Sequence, residues 1–200
     1  MVFVVSRKNF FAENETTGLF ISWVTITLAF ALVLSEKFLN FGSFLSVLPV
    51  AAIGVGTGFV LHELAHKYVA IHYGAKAEFR YWNLGLILAI VLPLITFGNF
   101  LFAAPGAVYI YGKEISRKQN GIISLAGPAA NIILALAFLA FAFSGFFPKV
   151  FFNVAFINIF LAAFNLLPVF PLDGSKVFAW NPAIWGIFFV PLAIVVLFVF

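Results

Sequence analysis

Long stretches without a charged side chain constrain the fold of this chain more than any other feature. Residues 81–112, for example, contain no charged residue. The 200-residue chain is 64% hydrophobic and 9% charged, whereas soluble domains carry about 25% charged residues. A soluble protein of this size cannot bury so much apolar surface, so we predict that lipid surrounds most of the chain.

The pattern of apolar segments predicts an all-α polytopic membrane protein with about five to six hydrophobic segments. These segments are residues 19–34, 44–73, 84–97, 121–147, 150–167 and 183–200. We expect one domain over residues 1–200, with a motif core at 44–182, a tail and first span at 1–43, and a last apolar segment at 183–200. Residues 1–17, which include Glu13 and Glu15, predict a polar interfacial tail.

One apolar segment contains the motif His62-Glu63-Leu64-Ala65-His66. On a helix, residues four apart share a face, so His62 and His66 can bind one metal ion. The chain has no Cys, so a metal site needs His, Asp or Glu ligands, and zinc suits such a set. Glu63 lies beside both imidazoles, where we expect it to act as a general base toward water.

Asp173 is the predicted third ligand. Of the seven acidic residues, only Glu63 and Asp173 lie in apolar surroundings, and the others are expected in loops or at span ends. An ionised group inside a bilayer costs on the order of 3 kcal/mol, so Asp173 needs a cationic partner. His72 is a rival ligand, but on a continuing helix it faces away from His62. Glu78 is a second rival, although it lies in a basic loop.

Two prolines near Asp173 predict a broken helix at residues 165–174. Pro168 and Pro171 cannot continue a regular helix, and Gly174 lets the chain bend. Earlier in the chain, Gly54 and Gly58 form a small-xxx-small pair, which predicts close approach of another helix.

Basic residues predict the orientation of the chain in the membrane. The basic residues expected on the cytoplasmic side are Arg7, Lys8, Lys67, Lys76, Arg80, Lys113, Arg117 and Lys118. Two of these groups flank residues 81–111: Lys76 and Arg80 before them, and Lys113, Arg117 and Lys118 after them. Both groups can lie on the cytoplasmic side only if the residues between them cross the membrane an even number of times. We therefore predict a re-entrant, partly extended segment at about residues 81–111 that packs on protein. A single Pro-kinked helix with the later loops inverted is the alternative.

Three motifs in this sequence resemble those of the site-2 protease family of intramembrane zinc metalloproteases. The motifs are His62-Glu63-Leu64-Ala65-His66, Gly127-Pro128-Ala129-Ala130-Asn131, and Asn165-Leu166-Leu167-Pro168 with Leu172-Asp173-Gly174. They follow the order of the family and extend over residues 62–174. The resemblance implies one zinc ion per chain at His62, His66 and Asp173, with Glu63 as the catalytic base. It also places Asn165 near the scissile peptide and gives Asn131 a supporting role.

The resemblance further implies hydrolysis of a peptide bond in or near a transmembrane segment of a membrane-protein substrate. The expected partners are that substrate and the lipid bilayer, with no nucleic acid. The expected location is the plasma membrane, with the active site near the cytoplasmic side. We expect a compact member of the family without PDZ-like or CBS-like domains. A membrane zinc protease of another family, a metal transporter and an inactive scaffold are the alternatives.

Overall fold

The computed structural model describes residues 10–35, 38 and 40–198. Its helices are α1 (Glu15–Leu34), α2 (Phe41–Val55), α3 (Leu61–His72), α4 (Asn83–Ile95), α5 (Arg117–Phe143), α6 (Pro148–Asn165), α7 (Asp173–Trp180) and α8 (Pro182–Phe198). The strands are β1 (Lys76–Tyr81) and β2 (Gly106–Tyr111). A π-helical turn, Gly56–Val60, joins α2 to α3 in one continuous run.

Four helical runs in the described part of the chain are long and apolar enough to cross a membrane. They are Glu15–Leu34, Phe41–His72, Arg117–Phe143 and Pro148–Asn165, and α4 and α8 are shorter apolar helices. The predicted all-α polytopic membrane fold is therefore confirmed. Arg7 and Lys8, which contribute to the predicted orientation, lie outside the described residues.

A helix-containing hairpin follows the long run that ends with α3. Strands β1 and β2 pair antiparallel, from Lys76 opposite Tyr111 to Tyr81 opposite Gly106. The two ends of the segment between the strands therefore lie side by side. Its 13-residue helix α4 is about 20 Å long, which is too short to cross a hydrocarbon core of about 30 Å. The segment returns to the side where it starts, as predicted, and the single-crossing alternative is wrong. The extended structure also includes β1, which begins before the predicted boundary at residue 81.

Small residues let the helical run of α2 and α3 pack closely against α6. A Cβ atom added to Gly54 would overlap the side chain of Ile157, and one added to Gly58 would lie 2.8 Å from Leu161. The predicted close approach of another helix at this pair is confirmed. Around it, Phe30, Val55 and Ile157 are fully buried in the main apolar core.

Two charged residues expected in exposed positions are buried in the fold. Glu15 begins α1 and is 2% exposed, and Lys67 on α3 is also 2% exposed. The prediction of a polar interfacial position for Glu15 is wrong because its carboxylate pairs with Lys67 Nζ at 2.5 Å. Lys67 is accordingly not evidence for membrane orientation, since its charge is neutralised inside the protein.

Candidate metal centre and active site

Helices α3 and α7 bring the three predicted metal ligands together. His62 and His66 lie on one face of α3, and Asp173 is the first residue of α7. The Nε2 atoms of His62 and His66 lie 3.3 and 3.0 Å from Asp173 Oδ2. All three side chains are buried or nearly so, with exposures of 3%, 6% and 9%.

Hydrogen bonds fix both imidazoles with Nε2 directed into the cluster. His62 Nδ1–H donates to Asn131 Oδ1 at 2.6 Å, and His66 Nδ1–H donates to the Ile123 carbonyl at 2.7 Å. Because each Nδ1 carries the proton, each neutral ring leaves Nε2 free to bind a metal ion. Both acceptors belong to α5, so α5 orients the histidines that α3 supplies.

The break between α6 and α7 presents Asp173 to the histidines. Helix α6 ends at Asn165, and the chain turns back so tightly that a Cβ atom on Gly174 would overlap the Leu166 carbonyl. The predicted helix break is confirmed, although glycine is needed at this position for close packing.

The donor set fits a zinc ion. Its three ligand atoms lie within 4.8 Å of one another, and a tetrahedral zinc site with bonds of about 2.0 Å separates its ligand atoms by about 3.3 Å. Two neutral imidazoles and one carboxylate are a common zinc ligand set that leaves a fourth position open. The three side chains therefore suit the ion in chemistry and in spacing.

Glu63 lines a cleft that also reaches the ligand cluster. It is 7% exposed, and its Oε2 atom is buried without a hydrogen-bond partner in the described residues. The cleft has a volume of about 370 Å³ and reaches Glu63, His66 and Asp173. An unsatisfied buried carboxylate oxygen is costly unless a water molecule or substrate meets it, so Glu63 is suited to proton transfer in the cleft.

Asn165 lies in the same cleft, whereas the two rival ligands do not join the cluster. Asn165 is partly buried and donates one amide hydrogen to the Leu161 carbonyl at 3.0 Å. His72 ends α3 and is exposed. Glu78 lies on β1, where its nearest polar partners are Arg80 and Tyr111. The elimination of His72 and Glu78 by sequence is thus consistent with the geometry.

Three further residues, Gly127, Asn131 and Asn158, support the site, and only Asn131 is assigned a supporting role from the sequence, through the family resemblance. A Cβ atom on Gly127 would lie 2.6 Å from His62 Nε2, so glycine lets α5 approach the imidazoles. Asn131 donates to the Gly58 carbonyl at 2.8 Å and to Asn158 Oδ1 at 3.1 Å while it accepts from His62. The spacing of Gly127 and Asn131, four residues apart on one helix face, is the sequence signal for this shared role. Asn158 has no comparable signal in the sequence.

Comparisons with known proteins identify the family. The family model described as "Peptidase family M50" matches residues 50–149. "Putative zinc metalloprotease MJ0611" of Methanocaldococcus jannaschii is 42% identical over 186 residues, which cover 91% of this chain and 92% of that protein. "Putative zinc metalloprotease YwhC" of Bacillus subtilis is 32% identical over 156 residues, covering 66% and 69%. No solved structure gives a significant match.

Together with the family match and these relatives, the membrane-length helices and the zinc-compatible centre define a membrane zinc metalloprotease. The chain belongs to peptidase family M50, the site-2 protease family.

Proposed function

We propose that this protein is an intramembrane protease that hydrolyses a peptide bond in or near a transmembrane segment of another membrane protein. The observation that carries the proposal is the buried cluster of His62, His66 and Asp173 beside Glu63, within a bundle of membrane-length helices. A cleft from this cluster to the edge of β2 supplies space for a substrate chain.

His62, His66 and Asp173 hold the zinc ion in this proposal, and Glu63 transfers protons. Zinc supplies Lewis-acid chemistry, polarising the substrate carbonyl and making water a better nucleophile. Glu63 accepts a proton from water as the water oxygen adds to the peptide carbonyl carbon. The same carboxyl donates that proton to the peptide nitrogen as the carbon–nitrogen bond breaks, giving a carboxylic acid and an amine. Asn165 directs its remaining amide hydrogen to the substrate carbonyl or backbone in the cleft.

Strand addition to β2 supports binding of an unwound substrate segment. The Phe79 N–H donates to Glu15 instead of β2, and Trp82 N–H donates to the Pro105 carbonyl. In this antiparallel register, Phe79 and Val108 therefore form a non-hydrogen-bonded pair, and the Val108 N–H and carbonyl point to the outer edge of β2. This edge lines the cleft beside Glu63, and a free strand edge binds extended peptides through main-chain hydrogen bonds.

The depth of the site supports an active site near the cytoplasmic face of the plasma membrane. The Ile123 carbonyl that orients His66 lies about 9 Å along α5 from its start at Arg117, at 1.5 Å per residue. Lys113, Arg117 and Lys118 lie just before or at that start. Because basic residues favour the cytoplasmic side, the nearby cleft opens toward the cytoplasm.

The substitution Glu63→Gln tests the proposed chemistry. Glutamine keeps the size of the side chain but cannot accept the proton from water, so we expect cleavage of a transmembrane reporter to fall by about 10²–10⁴-fold. Zinc content should stay unchanged, because the three proposed ligands remain. The exposed Glu13→Gln variant is the matched control and should cleave normally.

Mass spectrometry of the products locates the cut bond relative to the transmembrane segment. Cleavage by Glu63→Gln at the rate of the unaltered protein would contradict the mechanism. Products cut far from the transmembrane segment would contradict the proposed substrate class.

A further inference from the structure

A buried ion pair connects the start of α1 to the helix that carries the histidines. Lys67 Nζ lies 2.6 and 2.5 Å from the two carboxylate oxygens of Glu15. The side chains of Lys67 and Glu15 are 2% and 1% exposed. Because both charges lose their hydration, such a pair stabilises a fold poorly compared with apolar side chains of similar volume. This pair therefore matters for the contacts that its geometry provides.

The Glu15 carboxylate joins three parts of the fold. Its Oε2 atom also accepts the Ala12 N–H at 2.8 Å, and its Oε1 atom accepts the Phe79 N–H of β1 at 3.0 Å. The rings of Phe10 and Phe11 cover the Lys67 ammonium group, with centroids 4.9 and 5.3 Å from Nζ. The chain before α1, the helix α3 and the strand β1 therefore meet at one buried carboxylate.

This junction lies between the metal centre and the edge of the cleft. Lys67 directly follows His66 on α3, so the two side chains share one rigid helical turn. Phe79 is paired with Val108 of β2, which lines the cleft. Covalent bonds, the ion pair and strand pairing thus connect His66 to the edge of β2 through Lys67, Glu15 and Phe79.

The junction also distinguishes the two edges of the sheet. At Phe79, the outward N–H of β1 is bonded to Glu15, and an added Cβ on Gly18 of α1 would lie 3.2 Å from the Tyr81 ring. Helix α1 therefore covers this edge of β1. An added substrate strand has access to β2, beside Glu63.

We propose that Glu15 and Lys67 are positioning residues that fix the edge of β2 relative to the metal centre and so determine which substrate bond is cut. The inference rests on the proposed function, because it requires substrate pairing with β2. An unwound chain bound along this edge presents successive carbonyls to Glu63. A displacement of the edge by about one residue, 3.3 Å, places a different bond at the site.

The decisive variant neutralises both members of the pair together. Glu15→Gln or Lys67→Met alone leaves a buried charge unpaired and risks misfolding. The double variant Glu15→Gln/Lys67→Met removes both charges with little change in volume. We expect it to retain zinc but to cut a transmembrane reporter at several neighbouring bonds, with kcat/KM lowered about tenfold. The double variant Glu13→Gln/Lys118→Met, at exposed positions, is the matched control and should keep the single cut.

A distance measurement tests the same inference independently of cleavage. The chain has no Cys, so Tyr68→Cys on α3 and Tyr109→Cys on β2 allow specific spin labelling at two exposed positions. We expect the distance distribution between the labels to broaden or shift when Glu15→Gln/Lys67→Met is introduced. The control substitutions should leave that distribution unchanged.

Two results overturn the inference while leaving the proposed protease intact. One is an unchanged single cut with unchanged kcat/KM in the double variant. The other is lower activity at the same single bond with an unchanged distance distribution, which assigns the pair a stabilising role alone. Failure of the proposed function has a different signature, since Glu63→Gln then cleaves like the unaltered protein, and the inference falls with it.

Discussion

At the scale of single residues, Asn131 organises the hydrogen bonds around the histidines. Its carboxamide oxygen accepts from His62, and its amide group donates to Gly58 and Asn158. Only one orientation of the carboxamide satisfies these partners, because His62 Nδ1 must donate and the Gly58 carbonyl must accept. Outer hydrogen bonds of this type hold a metal-binding imidazole in the correct tautomer and direction. Asn131 thus links α3, α5 and α6 at the proposed zinc site.

The lack of a side chain on Gly127 is as important as these hydrogen bonds. An alanine methyl group at this position would overlap the imidazoles of His62 and His66. We expect Gly127→Ala to lower zinc content measured by elemental analysis and to reduce cleavage about 10²-fold, as small displacements of catalytic groups do. The physical reason is that α5 must move away from α3 or the imidazoles must rotate away from Asp173.

Gly186→Ala is the matched control for that substitution. Gly186 lies within α8, and a Cβ atom there meets nothing within 4 Å. The control should keep full activity and gain slightly in helix propensity. Normal zinc content and cleavage in Gly127→Ala would show that the site tolerates a wider separation of α3 and α5.

At the scale of secondary-structure elements, the hairpin of β1, α4 and β2 provides the proposed substrate edge. Val108→Pro removes an N–H that points away from β1, so it leaves the ladder between the strands intact, and proline is tolerated on an edge strand. We expect kcat/KM for the transmembrane reporter to fall about tenfold or more through loss of a substrate hydrogen bond.

Zinc content and the Val108→Ala variant separate strand pairing from other causes. Val108 also packs against the apolar core, so Val108→Ala measures the effect of losing its side chain while keeping the N–H. Zinc binding should be unchanged in both variants. If Val108→Pro cleaves as well as Val108→Ala, the substrate does not pair with β2 at this position.

The sequence predicts some of these elements better than others for physical reasons. His62 and His66 follow from helical spacing, and Asp173 from the cost of a lone charge in apolar surroundings. Strand β1 is short and contains charged residues, and its partner lies more than twenty residues later, so local patterns do not reveal it. The burial of Glu15 depends on Lys67, which is distant in sequence. The periodicity of a sequence does not reveal residues that become neighbours only when the chain folds.

At the scale of the whole molecule, α5 connects the membrane orientation to the depth of the site. It has 27 residues and is about 40 Å long, enough to cross a bilayer from end to end. The residues on α5 that orient His62 and His66 lie in its first half and middle. A cleft near one membrane face gives water access while the apolar helices remain in lipid. The sidedness of α5 therefore determines the face at which proteolysis occurs.

Cysteine labelling of the two ends of α5 tests this orientation. Lys118 lies at the start of α5, Ser144 follows its end, and both are exposed. Because the chain has no Cys, Lys118→Cys and Ser144→Cys each provide one reactive thiol. A membrane-impermeant maleimide applied to inverted vesicles, with the cytoplasmic face outward, should label Lys118→Cys and leave Ser144→Cys unlabelled; intact cells should give the reverse. The opposite pattern would place the cleft at the outer face, and equal labelling would show that α5 does not cross the membrane.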